Sequence, residues 1–226
     1  MVSWEGMRFV IRSASVDREN LEWMERSLFW EHFQNSPVAP GEVVFDLGAH
    51  IGSFGLRAAA DRGCSVFGVE PDEDSAMLYK VNALLNKLDT TQTIFRGAVG
   101  EFDSQCLLYQ ATTNWAHTTT GVGGPHNVLT GTTTLVDCIA LRSCFVMSRS
   151  DKCAFMKVNV EGAEFGFFQG SSIEDLKRVG AIAAELHFDM APGKTEDELV
   201  DKLTRAGFRT TLRPDSVDRA FLLATR

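Results

Sequence analysis

The stretch Val43-Val44-Phe45-Asp46-Leu47-Gly48-Ala49-His50-Ile51-Gly52 decides the fold. Its apolar half follows Pro40-Gly41 and predicts a buried strand. Gly52-Ser53-Phe54-Gly55-Leu56-Arg57 and the alanines after it predict a helix ending near Gly63. Asp46, Gly48 and Gly52 therefore sit where a strand becomes a helix. Glycine lets the backbone turn sharply and lets a ligand approach closely. The helix start offers free N–H groups. A carboxylate at Asp46 suits a ligand ammonium group, or orients the turn.

Outward from this turn the chain alternates. Cys64 to Pro71 predicts a second strand, and Asp72 to Leu88 a helix whose buried stripe is Met77, Leu78, Val81, Leu84 and Leu85. Thr91 to Val99 predicts a third strand. Residues 100–144 are rich in Thr and Gly and weakly periodic, with only Gln105 to Tyr109 and Thr132 to Leu141 looking regular. Such a stretch reads equally as a binding lid or as a surface loop. Alternation resumes with strands at Cys153 to Gly162 and Ala181 to Phe188. A T-x-x-E capping box at Thr195–Glu198 opens a helix to about Ala206. Two strands, antiparallel to each other, close the chain. This order means an α/β fold, Rossmann-like and doubly wound on a mainly parallel sheet. The first forty residues form a strand and helix extension packing on the core, with Asp17 capping a helix through about Phe33. Residues 41–226 form the main domain, with an acceptor-side insertion at about 100–144.

The strand ends carry the ligand signal. Glu70, about 20 residues beyond Gly48, is placed to accept hydrogen bonds from ribose hydroxyls, with Pro71 beside it. Gly97 and Ala98 leave room for an adenine ring. A pyrophosphate site wants G-x-G-x-x-G; here the spacing is D-x-G-x-x-x-G, with Ala49-His50 at the second close glycine. That favours S-adenosylmethionine over NAD. The cofactor set is Asp46, Gly48, His50, Gly52, Ser53, Glu70, Pro71, Ala98 and Asn159.

With these residues in place, the chain resembles the FkbM family of class I methyltransferases. The resemblance rests on the glycine turn, on Val66-Phe67-Gly68-Val69-Glu70-Pro71-Asp72, on Arg96-Gly97-Ala98-Val99, and above all on Lys157, Glu161, Gly162, Ala163 and Glu164, followed by Ala184-Glu185-Leu186-His187-Phe188. It implies a seven-stranded sheet with a reversed last strand, and methyl transfer from S-adenosylmethionine to a hydroxyl of a sugar, polyketide or other natural product. The family pattern has Asp where this chain has Asn159, and Asn where it has His50. Its Thr-Leu-Asp before the fourth strand is here interrupted by Val136.

At the catalytic end, Lys157, Asn159 and Glu161 share one face of the fourth strand, and Glu185 and His187 one face of the fifth. If the strands are neighbours, Asn159, Glu161, Glu185 and His187 converge. His187 is the first candidate for a general base, and Glu161 the second, with Asn159 beside them. A divalent metal on Glu161 and Glu185 is an alternative that is not adopted. Glu185 can instead pair with Lys157, and Glu164 can simply occupy a helix first turn. Asn114 and Trp115 are candidates for acceptor contact. His126 reads as a loop residue and His32 as a helix-surface residue.

Composition narrows the class. The sequence has 226 residues and a net charge of −8, which argues against non-specific nucleic-acid binding. No [DN]-P-P-[YFW] segment occurs. The five cysteines are odd in number and lack CxxC spacing, so free thiols in a cytoplasmic protein are expected. No signal peptide and no membrane-spanning run is visible. The expected partner is a small-molecule hydroxyl acceptor, without nucleic acid or membrane. A homo-oligomer, a nucleic-acid or protein methyltransferase, an NAD-dependent oxidoreductase and a weakly catalytic cofactor-binding protein stay open.

Overall fold

The computed structural model describes residues 1–13, 15–123 and 128–226. His126 lies outside the described residues. Among the described residues the elements run β1 (Val2–Trp4), β2 (Met7–Phe9), α1 (Asp17–Arg26), α2 (Leu28–Gln34), β3 (Val43–Leu47), α3 (Ser53–Arg62), β4 (Ser65–Glu70), α4 (Glu73–Leu85), β5 (Gln92–Arg96), β6 (Ala98–Val99), β7 (Ser104–Ala111), β8 (Leu129–Ile139), α5 (Leu141–Ser148), β9 (Cys153–Val158), α6 (Glu164–Gly170), α7 (Ile173–Leu176), β10 (Val179–His187), α8 (Glu196–Arg205), β11 (Arg209–Pro214) and β12 (Arg219–Thr225). None of these helices is long and apolar enough to cross a membrane.

Seven strands form the main sheet in the order β11-β12-β10-β9-β3-β4-β5. Neighbours from β5 to β10 are parallel, and β12 runs antiparallel to both β10 and β11. The last strand is thus reversed. Chain order changes direction between β3 and β9, and the crevice beyond such a switch point is where doubly wound sheets bind ligands. Phe45, Leu47, Met156, Val158, Ile182 and Leu186 fill one side of the sheet.

The N-terminal segment is tied to the sheet by aromatics. Phe33 stacks edge-on against Phe54 at 5.4 Å and Phe155 at 5.2 Å, and Phe29 against Phe221 at 5.0 Å. Burying each such ring contributes about 1.5–3 kcal/mol. This packing carries α1 over the rim of the sheet.

Several local expectations change. The helix from Asp17 is two helices, because the Ser27 hydroxyl donates to the Met24 carbonyl at 2.7 Å and accepts from Trp30 N–H at 3.3 Å, starting a new turn. Asp17 does not cap it: the cap position is Val16, and the Asp17 carboxylate is used elsewhere. On α4 three residues of the apolar stripe, Met77, Val81 and Leu84, are exposed and Leu78 and Leu85 half-buried, while Ser75, Ala76, Tyr79, Asn82 and Ala83 are buried. Tyr79 fills the space over Gly52, Gly55 and Gly68, and Asn82 bonds Val10 and Ile51. Tertiary fit overrides the hydropathy stripe there. Thr195 sits at the cap position of α8, but its side chain makes no capping bond. The described residues of the 100–144 stretch are more regular than their periodicity suggests. β7 and β8 pair antiparallel, β6 joins β8, and α5 begins at Leu141. Most of β8 is exposed on both faces, so no alternation marks it, while its threonines favour extended backbone.

Candidate active site

A cavity of about 420 Å³ opens beyond the C-terminal ends of β3, β4, β9 and β10, within the usual range for small-molecule sites. One end is lined by Gly48, His50, Ser53, Glu70, Pro71 and Gly97 to Val99. The other is lined by Glu19, Asn20 and Trp23 of α1, by Asn114 and Trp115 of the insertion, and by Asn159, Glu161, Glu185 and Arg219.

The turn is built around Gly48. Its φ is +75°, and a Cβ there would collide with the Asn159 carbonyl oxygen. β3 and β9 therefore come together at the cavity floor only if this residue is glycine. Asp46 and Gly52 lie outside the cavity wall, which corrects their expected ligand contact. Asp46 is fully buried, accepts from Gly55 N–H at 3.0 Å and pairs with Lys157 Nζ at 3.3 Å. Burial pushes its carboxyl up, and the Lys157 ammonium opposes that. Asp46 orients the turn. A Cβ on Gly52 would stand 2.6 Å from the Tyr79 ring, so this glycine serves helix packing. Lys157 is paired with Asp46 rather than with Glu185, whose Oε1 lies 3.5 Å from Arg219 Nη1.

Glu70 accepts from His50 N–H at 2.7 Å and from Asp72 N–H at 2.9 Å, one bond per oxygen. Each oxygen keeps capacity for a ligand hydroxyl. Burial pushes its pKa up to about 7. Gly97 and Ala98 leave the wall flat and uncharged next to it. His50 has a left-handed φ of +50°. Its Nε2 accepts from Arg12 Nη2 at 2.8 Å. Burial lowers its pKa to about 4, so the ring is neutral.

His50 belongs to a network the sequence did not suggest. Asp17 is fully buried and accepts from Arg12 N, Nε and Nη2 and from Asn114 Nδ2 at 2.7 Å. Although burial opposes it, the Arg12 bonds hold the Asp17 carboxyl down at about 2. Asp72 lies 3.5 Å from Arg12 Nη1 and 3.9 Å from His117 Nε2. The N-terminal segment, the glycine turn and the 100–144 stretch are thereby tied together around Asp17 and His50. Asn114 lines the cavity, and its Nδ2 donates to Asp17. Trp115 lines it half-buried. An acid sitting just before an amphipathic helix resembles a cap, which hid the role of Asp17.

β9 and β10 are neighbours, and Asn159, Glu161 and Glu185 do line one region. Asn159 Oδ1 is buried without a hydrogen bond. Asn159 and Glu161 lie past the end of β9, in the loop to α6. Glu164, fully buried, accepts from Val160 N–H and Gly162 N–H at 3.0 Å each, and from His187 Nδ1 at 3.0 Å. It clasps the loop besides starting α6. Glu161 has a φ of +50°, a conformation costing about 1–3 kcal/mol for a non-glycine residue.

His187 cannot be the base expected of it. It is fully buried and outside the cavity wall. Burial alone would lower its pKa, but Glu161, Glu164 and Glu185 carry it up to about 10. It is a cation at neutral pH. Its Nε2 lies 3.5 Å from Glu161 Oε2, which makes no hydrogen bond. Burial pushes Glu161 up to about 7, against the pull of His187. A carboxylate poised there is matched to proton abstraction near neutral pH. Burial also pushes Glu185 up. Arg219 is the cation beside Glu185. Among the described residues no group of three or more His, Cys, Asp or Glu side chains is arranged to hold a metal ion. His32 is half-buried rather than on the open surface, with Nε2 at 3.3 Å from the Ala224 carbonyl.

Residues 46–210 match the sequence model of the methyltransferase FkbM domain. Solved structures share the fold at low identity. Precorrin-6y C5,15-methyltransferase from Geobacter metallireducens is 8% identical with a TM-score of 0.52, over 97% of this chain and 94% of that one. The N-terminal domain of human METTL16 in complex with SAH is 12% identical with a TM-score of 0.50, over 96% and 72%. TrmK from M. capricolum with S-adenosyl-homocysteine is 5% identical with a TM-score of 0.50, over 86% and 65%.

Proposed function

Because the chain belongs to the FkbM methyltransferase domain family, we propose that it moves a methyl group from S-adenosylmethionine to a hydroxyl of a small molecule, with Glu161 as the general base. The observation that carries this reading is the Glu161 carboxylate: in the cavity wall, without a hydrogen bond on Oε2, and titrating at about 7. The donor set suits the cofactor. Glu70 has free acceptor capacity for ribose hydroxyls, Gly97 and Ala98 make a flat wall for adenine, and the unbonded Asn159 Oδ1 is an acceptor for an ammonium group. When bound, S-adenosylmethionine supplies an electrophilic methyl on a sulfonium.

The chain's own residues then orient and deprotonate. Trp115 and Trp23 offer apolar faces on the acceptor side. Glu161 takes the hydroxyl proton on its carboxylate, and the His187 ring, 3.5 Å from Oε2, holds that carboxylate in place. Glu185 is held by Arg219 and contributes to acceptor contact. The net charge of −8 supports a small molecule over nucleic acid. The five cysteines are free, which suits a reducing cytoplasm.

The test is label transfer from methyl-labelled S-adenosylmethionine to a panel of hydroxyl-bearing sugars and polyketides, with RNA and protein as parallel arms. Glu161→Gln is expected to slow transfer by about 10²–10⁴-fold, the usual contribution of a general base, with cofactor affinity preserved. Label entering RNA or protein instead, or full activity in Glu161→Gln, would overturn the reading.

A further inference from the structure

We infer that Thr118, a residue of the insertion, is the positioning residue that holds Glu161 in its cavity-facing backbone conformation. The inference rests on the assignment of Glu161 as base. The Thr118 side chain is buried, 1% exposed, and its hydroxyl donates to the Glu161 carbonyl at 2.6 Å. That carbonyl belongs to a residue with φ of +50°, followed by Gly162 at φ +98°. Two successive left-handed residues persist only where their surroundings hold them. Glu164 takes the amides on either side of Glu161, at Val160 and Gly162, and Thr118 takes the Glu161 carbonyl. The loop is pinned from both sides of the peptide chain.

A second observation points the same way. The Thr118 hydroxyl is itself oriented, accepting from Thr120 N–H at 3.1 Å. A Cβ on Gly162 would stand 3.0 Å from Thr120 Cγ2, so the insertion packs directly on this loop. Thr118 is kept in place by its backbone, which exchanges both hydrogen bonds with Tyr109, at 2.8 and 3.1 Å. The hydroxyl is therefore not needed to hold the strand. It is free to serve the neighbouring loop, and it couples the acceptor-side insertion to the base.

The experiment titrates the Glu161 carboxyl by carbon-13 NMR in glutamate-labelled protein, with Glu161→Gln assigning the signal. His187, Glu164, Glu185 and Arg219 face this carboxyl and are unchanged in every variant. Thr118→Val removes the hydroxyl and keeps the side-chain shape; Thr118→Ser keeps the hydroxyl. Calorimetry with S-adenosylhomocysteine reports that each variant is folded. The expected result is a midpoint near 7 in the parent and in Thr118→Ser, and a midpoint shifted by about a unit or more toward the ordinary carboxylate value in Thr118→Val. An unchanged midpoint in Thr118→Val overturns the inference, as does an equal shift in Thr118→Ser. A Thr118→Val chain that fails to bind S-adenosylhomocysteine while Thr118→Ser binds normally also overturns it, because the hydroxyl is then needed for the fold. Full transfer activity in Glu161→Gln would sink the base assignment without touching this titration.

Discussion

Cofactor binding should weaken as pH falls from about 8 to about 6, and Glu70 is the reason. The carboxylate is buried and each oxygen already accepts one backbone N–H. Ribose hydroxyls are donors, so they bind the ionised form. Burial places the pKa of the free site at about 7. A bound donor pair favours the ionised form and lowers that value, so affinity is full above about 7 and falls below it. By about pH 6 only about one site in ten is ionised, which costs about tenfold in Kd, or about 1.4 kcal/mol. Glu70→Gln tests the same idea without pH. Its amide puts an N–H against the His50 or Asp72 N–H, and it loses a charge-assisted acceptor. A ribose hydroxyl that is buried on binding without its acceptor costs about 1–3 kcal/mol, so affinity at about pH 8 should fall by about 5- to 150-fold. Isothermal titration with S-adenosylhomocysteine from about pH 5.5 to 8.5 reads both effects. Glu161 titrates in the same range, so the series is repeated in Glu161→Gln, where the Glu70 slope should survive. His50, at about 4, stays neutral through most of it. A Kd flat between about pH 6 and 8, or a Glu70→Gln variant binding as tightly as the parent, would refute the reasoning.

Two further outcomes follow from the same geometry. The folded-state pKa of His187 is raised from 6.5 to about 10, so its contribution to stability is full below 6.5 and is lost as pH rises through about 10. Denaturant unfolding should show stability falling over that window, and His187→Gln should remove that part of the slope; an identical slope in the variant counts against the buried cation. Gly48→Ala should lose both folding stability and cofactor binding, since its Cβ would meet the Asn159 carbonyl and its φ is left-handed. A variant with parental melting temperature and affinity would show that the turn is looser than described.

What was legible in the sequence was local or covalently close. The turn Asp46 to Gly52 and the acid Glu70 at the end of β4 follow from strand–turn–helix order, and that order also yields the sheet, whereas the single strand expected from Thr91 to Val99 is two, β5 and β6, with Ala98 opening the second. Such patterns are legible because backbone conformation and strand direction are set over a few residues. Glycine spacing separated a phosphate-free nucleotide site from a dinucleotide site for the same reason. The seven-stranded sheet with its reversed last strand matches the expectation drawn from the resemblance at Lys157 to Glu164.

What only the tertiary structure decided were the charge states and the long-range partners. His187 looked like a base because an isolated imidazole titrates near neutrality; three glutamates from α6, its N-terminal loop and β10 make it a cation. Asp46 looked like a ligand because its type is right, yet Gly55 and Lys157 consume it. Asp17 looked like a cap, yet Arg12 and Asn114 claim it, the latter 97 residues away. Met77, Val81 and Leu84 of the α4 stripe face outward because Tyr79 fits over three glycines. In each case the residue type sets what a group can do, and burial together with partners distant in sequence sets which of those things it does. For the sequence Val43 to Gly52, the backbone turn was written in its glycines, and the role of the acid within it was settled by Lys157, which arrives from another strand.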